Sequence, residues 1–415
     1  MSESVLNESL LSRQPILDAQ QNLVGYELAL LSETDAHDHS RAATLVCAAY
    51  AELGIRSALG RNTAFLRVDI DFLHDDAIEA LPPDAVVLEL VLDTVPDERT
   101  LQRCRALRER RYALALADYT GLDERSRLLL TMLDVIKIDI RHYDDAQLKE
   151  LAGPLVRLPL KLLAQGVETP AAMERCKAIG FQLFQGHYFA RPEIVSGRRL
   201  SAPQAALIQL INLSARDADT NKIEESIKRE PALAVNLLCI VNSVGYGATR
   251  RVSSLRHAIT LIGRRQLQRW LQLLLMTPSG TSADVSRSPL LQVAALRGRL
   301  MEMLIDYWHP GGQRLADQAF LTGIMSMMPA ALGLPMSEIF AQIALEPEVM
   351  VAFSSPEAPL GKTLALLEYF DAEDVPGCDR LLAQMSTPSL KLDRGLLNSF
   401  LMDSLRWVNG GSEES

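Results

Sequence analysis

Several stabilising or targeting features are missing from this chain of 415 residues. It has only five cysteines, Cys47, Cys104, Cys176, Cys239 and Cys378, odd in number and far apart. With no Cys-x-x-Cys pair and no Cys/His cluster, a disulfide frame and a zinc site are excluded, and reduced thiols are expected. No apolar run is long enough to span a bilayer, the stretch 270–276 being far too short. The opening Met-Ser-Glu-Ser lacks the basic region of a signal peptide, so a cytoplasmic protein without membrane insertion is expected. A basic excess is missing as well. The formal net charge is -10, residues 1–200 carrying 23 Lys+Arg against 30 Asp+Glu and the remainder 19 against 22. Neither half is basic, which argues against a general nucleic-acid-binding role.

Apolar residues make up 48% and charged residues 23%, as in ordinary globular domains, and the length implies two or three of them. Through the first half, short apolar, β-branched runs recur at 23–30, 64–70, 86–92, 112–117, 135–140, 160–167 and 183–189. Segments of helical spacing such as 42–53, 100–110 and 171–179 separate most of them. That alternation implies βα units and a parallel sheet, and the nearly all-apolar strands imply burial on both faces. So many units in about 200 residues fit a (β/α) barrel better than a short doubly wound sheet. Polar residues end several runs: Glu27, Glu89, Asp118, Lys137 with Asp139, Gln165 with Glu168, and Gln185. In a barrel such residues converge on one mouth, where carboxylates suit divalent cations and phosphate chemistry. Any one of these acids is more simply a helix cap or a loop residue; the set in phase points to a site.

Beyond Arg191-Pro192 and Ser196-Gly197-Arg198-Arg199 the pattern changes. From Pro203 apolar residues fall at helical spacing and strand-like alternation ends. Thr220 is placed to cap a helix through Ile227, and Pro231 suits the first turn of the next. Ser253 or Ser254 opens another, which Gly263 closes, and 266–276 forms a further helix. Several short helices imply an α-helical bundle.

The ordered motifs of residues 10–200 resemble those of EAL-type cyclic-di-GMP phosphodiesterase domains. Gln14-Pro15-Ile16 resembles the opening of such domains, and Gly25-Tyr26-Glu27-Leu28-Ala29-Leu30 stands at the signature, with only Glu27 kept of its three defining letters. Glu89-Leu90-Val91-Leu92, Ala115-Leu116-Ala117-Asp118-Tyr119, Ile136-Lys137-Ile138-Asp139, Leu163-Ala164-Gln165-Gly166-Val167-Glu168-Thr169 and Phe184-Gln185-Gly186-His187-Tyr188 follow in family order. The later stretch from Pro231-Ala232-Leu233 through Val241-Asn242-Ser243 to Ala258-Ile259-Thr260-Leu261-Ile262-Gly263 is similar to an HDOD domain. Ser326 and Met327 stand where the related HD hydrolases carry their metal-binding His-Asp pair, and neither binds a divalent ion as those would. The implied fold is an α/β TIM-like (β/α) barrel of EAL type over 1–199, then an all-α HDOD helical bundle over 200–408, with a disordered tail at 409–415.

Measured against the resemblance, the barrel has lost chemistry. Arg67 replaces a metal-ligating Asn, Ala117 an Asp, Gln165 the catalytic Glu, and Leu31 an Arg that holds a ligand phosphate; Glu27, Glu89, Asp118, Lys137, Glu168 and Gln185 remain. Gln165 has the shape of Glu but no basic oxygen, and Arg67 sets a permanent cation where a divalent ion would sit. Arg67 is expected to pair with Glu89 or Asp118. The resemblance with these losses implies a non-catalytic signalling protein, acting through protein–protein contact in cyclic-di-GMP-linked behaviour such as motility or biofilm formation. No cofactor or metal is expected, and the losses argue against retained cyclic-di-GMP binding. Two alternatives stay open: a cyclic-di-GMP receptor without turnover, and a weak phosphodiesterase taking Mg or Mn on Glu27, Glu89 and Asp118 with Lys137 on the phosphate. The partner is not named by the sequence, and a homodimer is left open.

Residues 231–283 hold six arginines, Arg250, Arg251, Arg256, Arg264, Arg265 and Arg269, and no acid, making them the candidate partner surface in the second half. His37-Asp38-His39 reads as a solvated loop, and Gly361-Lys362-Thr363 lacks the glycine and the strand of a phosphate-binding loop. Met325, Met327 and Met328 read as a core stripe.

Overall fold

The computed structural model describes residues 9–31, 55–190, 200–215, 219–229, 231–241, 252, 254–277, 288–388 and 390–409. The expected helix at 42–53, the His37-Asp38-His39 segment, Cys47, Arg250, Arg251, Ser253 and the tail beyond 409 lie outside them.

Eight strands close into a barrel in sequence order: β1 (Leu10–Asp18), β2 (Leu23–Leu31), β3 (Thr63–Val68), β4 (Val86–Leu90), β5 (Ala113–Leu116), β6 (Val135–Asp139), β7 (Lys161–Gln165) and β8 (Leu183–Gln185). β2 to β8 run parallel, as the alternation implies. β1 is the addition. It runs antiparallel to both neighbours, pairing with β2 from Leu10 to Leu17 but with β8 only over Ile16, Leu17 and Asp18. The edge of β1 ahead of Ile16 therefore needs another partner on its β8 side.

Successive side chains of a strand point to opposite faces. The inner face begins with an apolar layer of Ile16, Phe65, Val87, Ala115, Val135, Leu163 and Leu183. Two positions nearer the mouth stand Gln14, Arg67, Glu89, Lys137, Gln165 and Gln185, with Ala117 just past the end of β5. A dry floor thus lies directly beneath a charged storey. β2 contributes no bulk to the floor, because its residue there is Gly25, where a Cβ would stand 2.2 Å from the Thr63 carbonyl oxygen. Gly186, at φ 153°, ends β8 immediately after Gln185, and a Cβ there would stand 2.0 Å from the Val167 carbonyl oxygen.

The described residues form two compact units, those up to 189 together with those from 366 to 409, and those between 190 and 365. This corrects the expected boundary: residues 366–408 belong with the barrel, not with the helical bundle. The helix Arg394–Val408 supplies the missing partner for β1. The side chain of Asn398, almost wholly buried, accepts from the Leu11 N–H at 2.8 Å and donates to the Ser9 carbonyl at 2.8 Å, as a neighbouring strand would. Asn409 donates to the Ala58 carbonyl at 2.6 Å at the end of the same helix.

The second unit is helical, with Ala202–Ala215, Thr220–Lys228, Pro231–Val241, Leu255–Leu275, Pro289–Trp308 and Gln313–Met325 among its helices. Ile211, Ile223, Leu237, Ile259, Leu271 and Ile324 are in its core, and Met325, Met327 and Met328 are buried there too. Asp219, not Thr220, caps its helix, accepting from the Asn221 N–H, because Thr220 is already in the first turn. Ser254 caps the next long helix, and Gly263 breaks it with non-helical φ 73° and ψ 159°. Among the described residues no single helix is long and apolar enough to cross a membrane. Cys104, Cys176 and Cys378 are buried free thiols.

Replacing Asn398 with Ala leaves a buried N–H and a buried carbonyl of β1 unpaired. The substitution is expected to destabilise the barrel unit by about 1–3 kcal/mol, read from the shift of its chemical denaturation midpoint.

Candidate functional site

Lys137 is fully buried at the centre of the charged storey. Its Nζ lies 2.7 Å from Glu27 Oε2 and 3.1 Å from Glu89 Oε2. Gln185 Nε2 donates to Glu27 Oε2 as well, and to Gln14 Oε1 at 2.8 Å. Four of the anticipated residues, Glu27, Glu89, Lys137 and Gln185, therefore form one hydrogen-bonded cluster, carried by strands that bring these positions to one level.

The charges in the cluster are unequal. Burial is the largest influence on Glu89 and pushes its carboxyl up to about 7, with Lys137 opposing and the charge of Glu27 adding to the rise. Burial acts on Glu27 too, but the charge and hydrogen bond of Lys137, the hydrogen bond of Gln185 and the charge of Arg67 outweigh it, so its carboxyl is held below the ordinary value. Burial opposes the charge on Lys137, and the two carboxylates outweigh it, so the lysine is held in its charged form. One cation faces two acids, and Glu89 is the acid that more readily takes a proton.

Nearer the rim, Arg67 pairs with Asp118 rather than with its register neighbour Glu89. Asp139 is held by Arg141 at 2.6 Å, and its carboxyl lies below the ordinary value, the arginine's hydrogen bonds and charge outweighing burial. Ala117 is buried and offers no donor atom. Gln165 sits beside Gln185 in register, its Oε1 buried without a hydrogen-bond partner. Glu168 acts on Arg141 through its charge. Leu31 ends β2 opposite Leu10, so that end of the strand carries no charge. A cavity of about 250 Å³ opens beyond β4 and β5, walled by Asp93, Asp118, Tyr119, Asp123 and Arg125 among others.

Both buried glutamates are engaged by Lys137, Asp118 is engaged by Arg67, and Ala117 contributes nothing. Among the described residues no three His, Cys, Asp or Glu side chains come together as a metal site. Two-metal hydrolysis needs oxygen ligands bridging both ions, and here the Lys137 ammonium lies between the two buried glutamates.

In the helical unit three of the described arginines of the candidate patch are ion-paired. Arg269 is buried, pairs with Glu302 and, at 3.0 Å, with Asp317, and stacks 3.9 Å over the Phe320 ring, so it is no surface residue. Arg265 lies 2.9 Å from Asp317, and Arg256 lies 3.0 Å from Glu224. The acids come from helices outside the stretch whose lack of acid suggested a free cationic face. Arg264 also has an interaction of its own. Three polar residues at the mouth were not among the site candidates, although Gln14 belongs to the quoted Gln14-Pro15-Ile16 motif. Ser12 and Gln14 carried no charge to mark them, and Glu373 lies 361 residues from Ser12, with no local signal linking the two.

A sequence model of the EAL domain matches residues 70–192 and one of the HDOD domain matches 201–329, so the chain carries an EAL domain followed by an HDOD domain. It is 27% identical over 420 residues to the cyclic di-GMP phosphodiesterase CdgJ of Vibrio cholerae, covering 98% of this chain and 93% of that one. It is 24% identical over 408 residues to the uncharacterized protein YuxH of Bacillus subtilis, covering 96% and 97%. The crystal structure of an EAL domain protein from Listeria monocytogenes aligns at 20% identity with a TM-score of 0.36, over 46% of this chain and 91% of that one.

Two outcomes follow from the triad. Between 4.5 and about 7 the folded chain holds the Glu89 proton that the unfolded chain releases, so stability falls as pH rises through that window. Glu89→Gln is expected to flatten this part of a melting-temperature profile against pH. Lys137→Met leaves two buried acids facing each other and is expected to cost about 3–5 kcal/mol, measured by urea denaturation at pH 8.

Proposed function

We propose that this chain is a non-catalytic signalling protein of a cyclic-di-GMP-linked pathway, acting in the cytoplasm through contact with a protein partner. The observation that carries the reading is the position of Lys137. Its ammonium lies between Glu27 and Glu89, the two acids a metal-dependent phosphodiesterase would need, while Arg67 neutralises the third, Asp118. Gln165 offers no basic oxygen to activate water. Among the described residues Arg256, Arg265 and Arg269 pair with acids of neighbouring helices, so the reading places no partner surface on them. The rim of the barrel mouth is the proposed contact region.

The phosphodiesterase reading draws on the full-length likeness to a protein named for that activity. The two readings separate in one assay. Purified protein incubated with cyclic-di-GMP and Mg²⁺ or Mn²⁺ is expected to release no linear dinucleotide, and calorimetric titration under the same conditions is expected to give no saturating heat. Product that disappears in Glu27→Ala would establish the enzyme instead, and stoichiometric heat without product would establish a receptor.

A further inference from the structure

The C-terminal segment reaches the charged storey as well as the edge of β1. Glu373, at φ 59°, follows the helix Pro359–Asp371 and turns its carboxylate onto β1. Its Oε1 accepts from Ser12 Oγ and, at 2.9 Å, from Gln14 Nε2. Ser12 and Gln14 share the inward parity of Ile16, so the carboxylate lies over the mouth and not against the outer wall of the barrel.

From Gln14 the hydrogen bonds continue without a gap. Gln14 Oε1 accepts from Gln185 Nε2, the same amide nitrogen donates to Glu27 Oε2, and Glu27 Oε2 accepts from Lys137 Nζ. Both ends of the Gln14–Gln185 pair are carboxylates, which only accept. That fixes both amides. Gln185 gives one N–H to each side, and Gln14 turns its oxygen inward and its nitrogen toward Glu373. Reversing either amide sets oxygen against oxygen. The orientation of Gln14, and with it the hold on Glu373, therefore depends on what Glu27 accepts.

We propose that residues 366–409 are a strap whose docking on β1 is coupled, through Glu373, Gln14, Gln185 and Glu27, to the occupancy of the barrel mouth. A cation drawn to Glu27, or an anion that pulls Lys137 from it, changes the acceptor offered to Gln185 and loosens Glu373; by linkage, release of the strap alters the affinity of the mouth equally. The coupling needs only a conformational equilibrium at the mouth, so it goes beyond the functional reading above and does not depend on it.

Hydrogen–deuterium exchange of the full-length protein tests the coupling. Glu373→Ala is expected to speed exchange of the 366–409 amides about fivefold, which any clamp would do. The deciding variants are Glu27→Gln, nearly isosteric, and Gln185→Leu, neither of which touches the strap. Both are expected to speed exchange in 366–409 about threefold while the helix Glu98–Glu109 exchanges as in the parent. Asn398→Ala serves as a control that loosens the strap without entering the relay, and its effect is expected to add to that of Glu27→Gln, whereas Glu373→Ala and Glu27→Gln are expected not to add. Unchanged strap exchange in Glu27→Gln and Gln185→Leu proteins of parental circular dichroism would overturn the proposal, and so would full additivity of Glu373→Ala with Glu27→Gln.

Discussion

The ammonium of Lys137 between two buried carboxylates is the interaction on which the barrel mouth depends. A charge taken out of water must be matched by hydrogen bonds and opposite charge, or it is lost to a proton. Here the matching comes from β2 and β4, so the register of three strands is tied to one side chain. Such a cluster says little about net stability, since apolar residues of equal volume often serve as well. What it does supply is discrimination: a slip of one residue in any contributing strand turns a charge into the outer wall. The same tie holds one oxygen of Glu27 and the carboxylate of Glu89 against the ammonium.

Much of the barrel was legible because a period of two is a strong constraint. Once the apolar runs are read as parallel strands, Glu27, Glu89, Lys137 and Gln185 are forced to one end. β1 was harder to see. Its central Ser12-Arg13-Gln14-Pro15 breaks the apolar pattern, and its pairing partners follow from closure of the sheet rather than from neighbouring sequence. Pairings within the mouth were only half legible. That Arg67 would meet an acid followed from charge, but the selection of Asp118 over Glu89 follows from Glu89 being committed to Lys137.

The second half shows where periodicity stops informing. Helical spacing runs through 200–408, and it reveals that each helix has an apolar face without revealing which core that face joins. The helix Arg394–Val408 reads like its predecessors, yet Asn398 closes the edge of β1. The arginines illustrate the same limit for charge: Glu302 and Asp317 neutralise Arg265 and Arg269 from other helices, which spacing along one segment does not disclose.

The distance along the chain between β1 and its last partner has a consequence for how the molecule is made. Ser9 and Asn398 are separated by 389 residues. Synthesis proceeds from the N-terminus, so β1 leaves the ribosome long before the side chain that completes its edge. During that interval the strand must wait with its outer hydrogen-bonding groups open to water, and closing so long a loop is entropically tolerable only because the residues between have already folded. The barrel is thus the first unit begun and the last one finished, and its final native contacts are among those of highest sequence separation, the kind that slows folding.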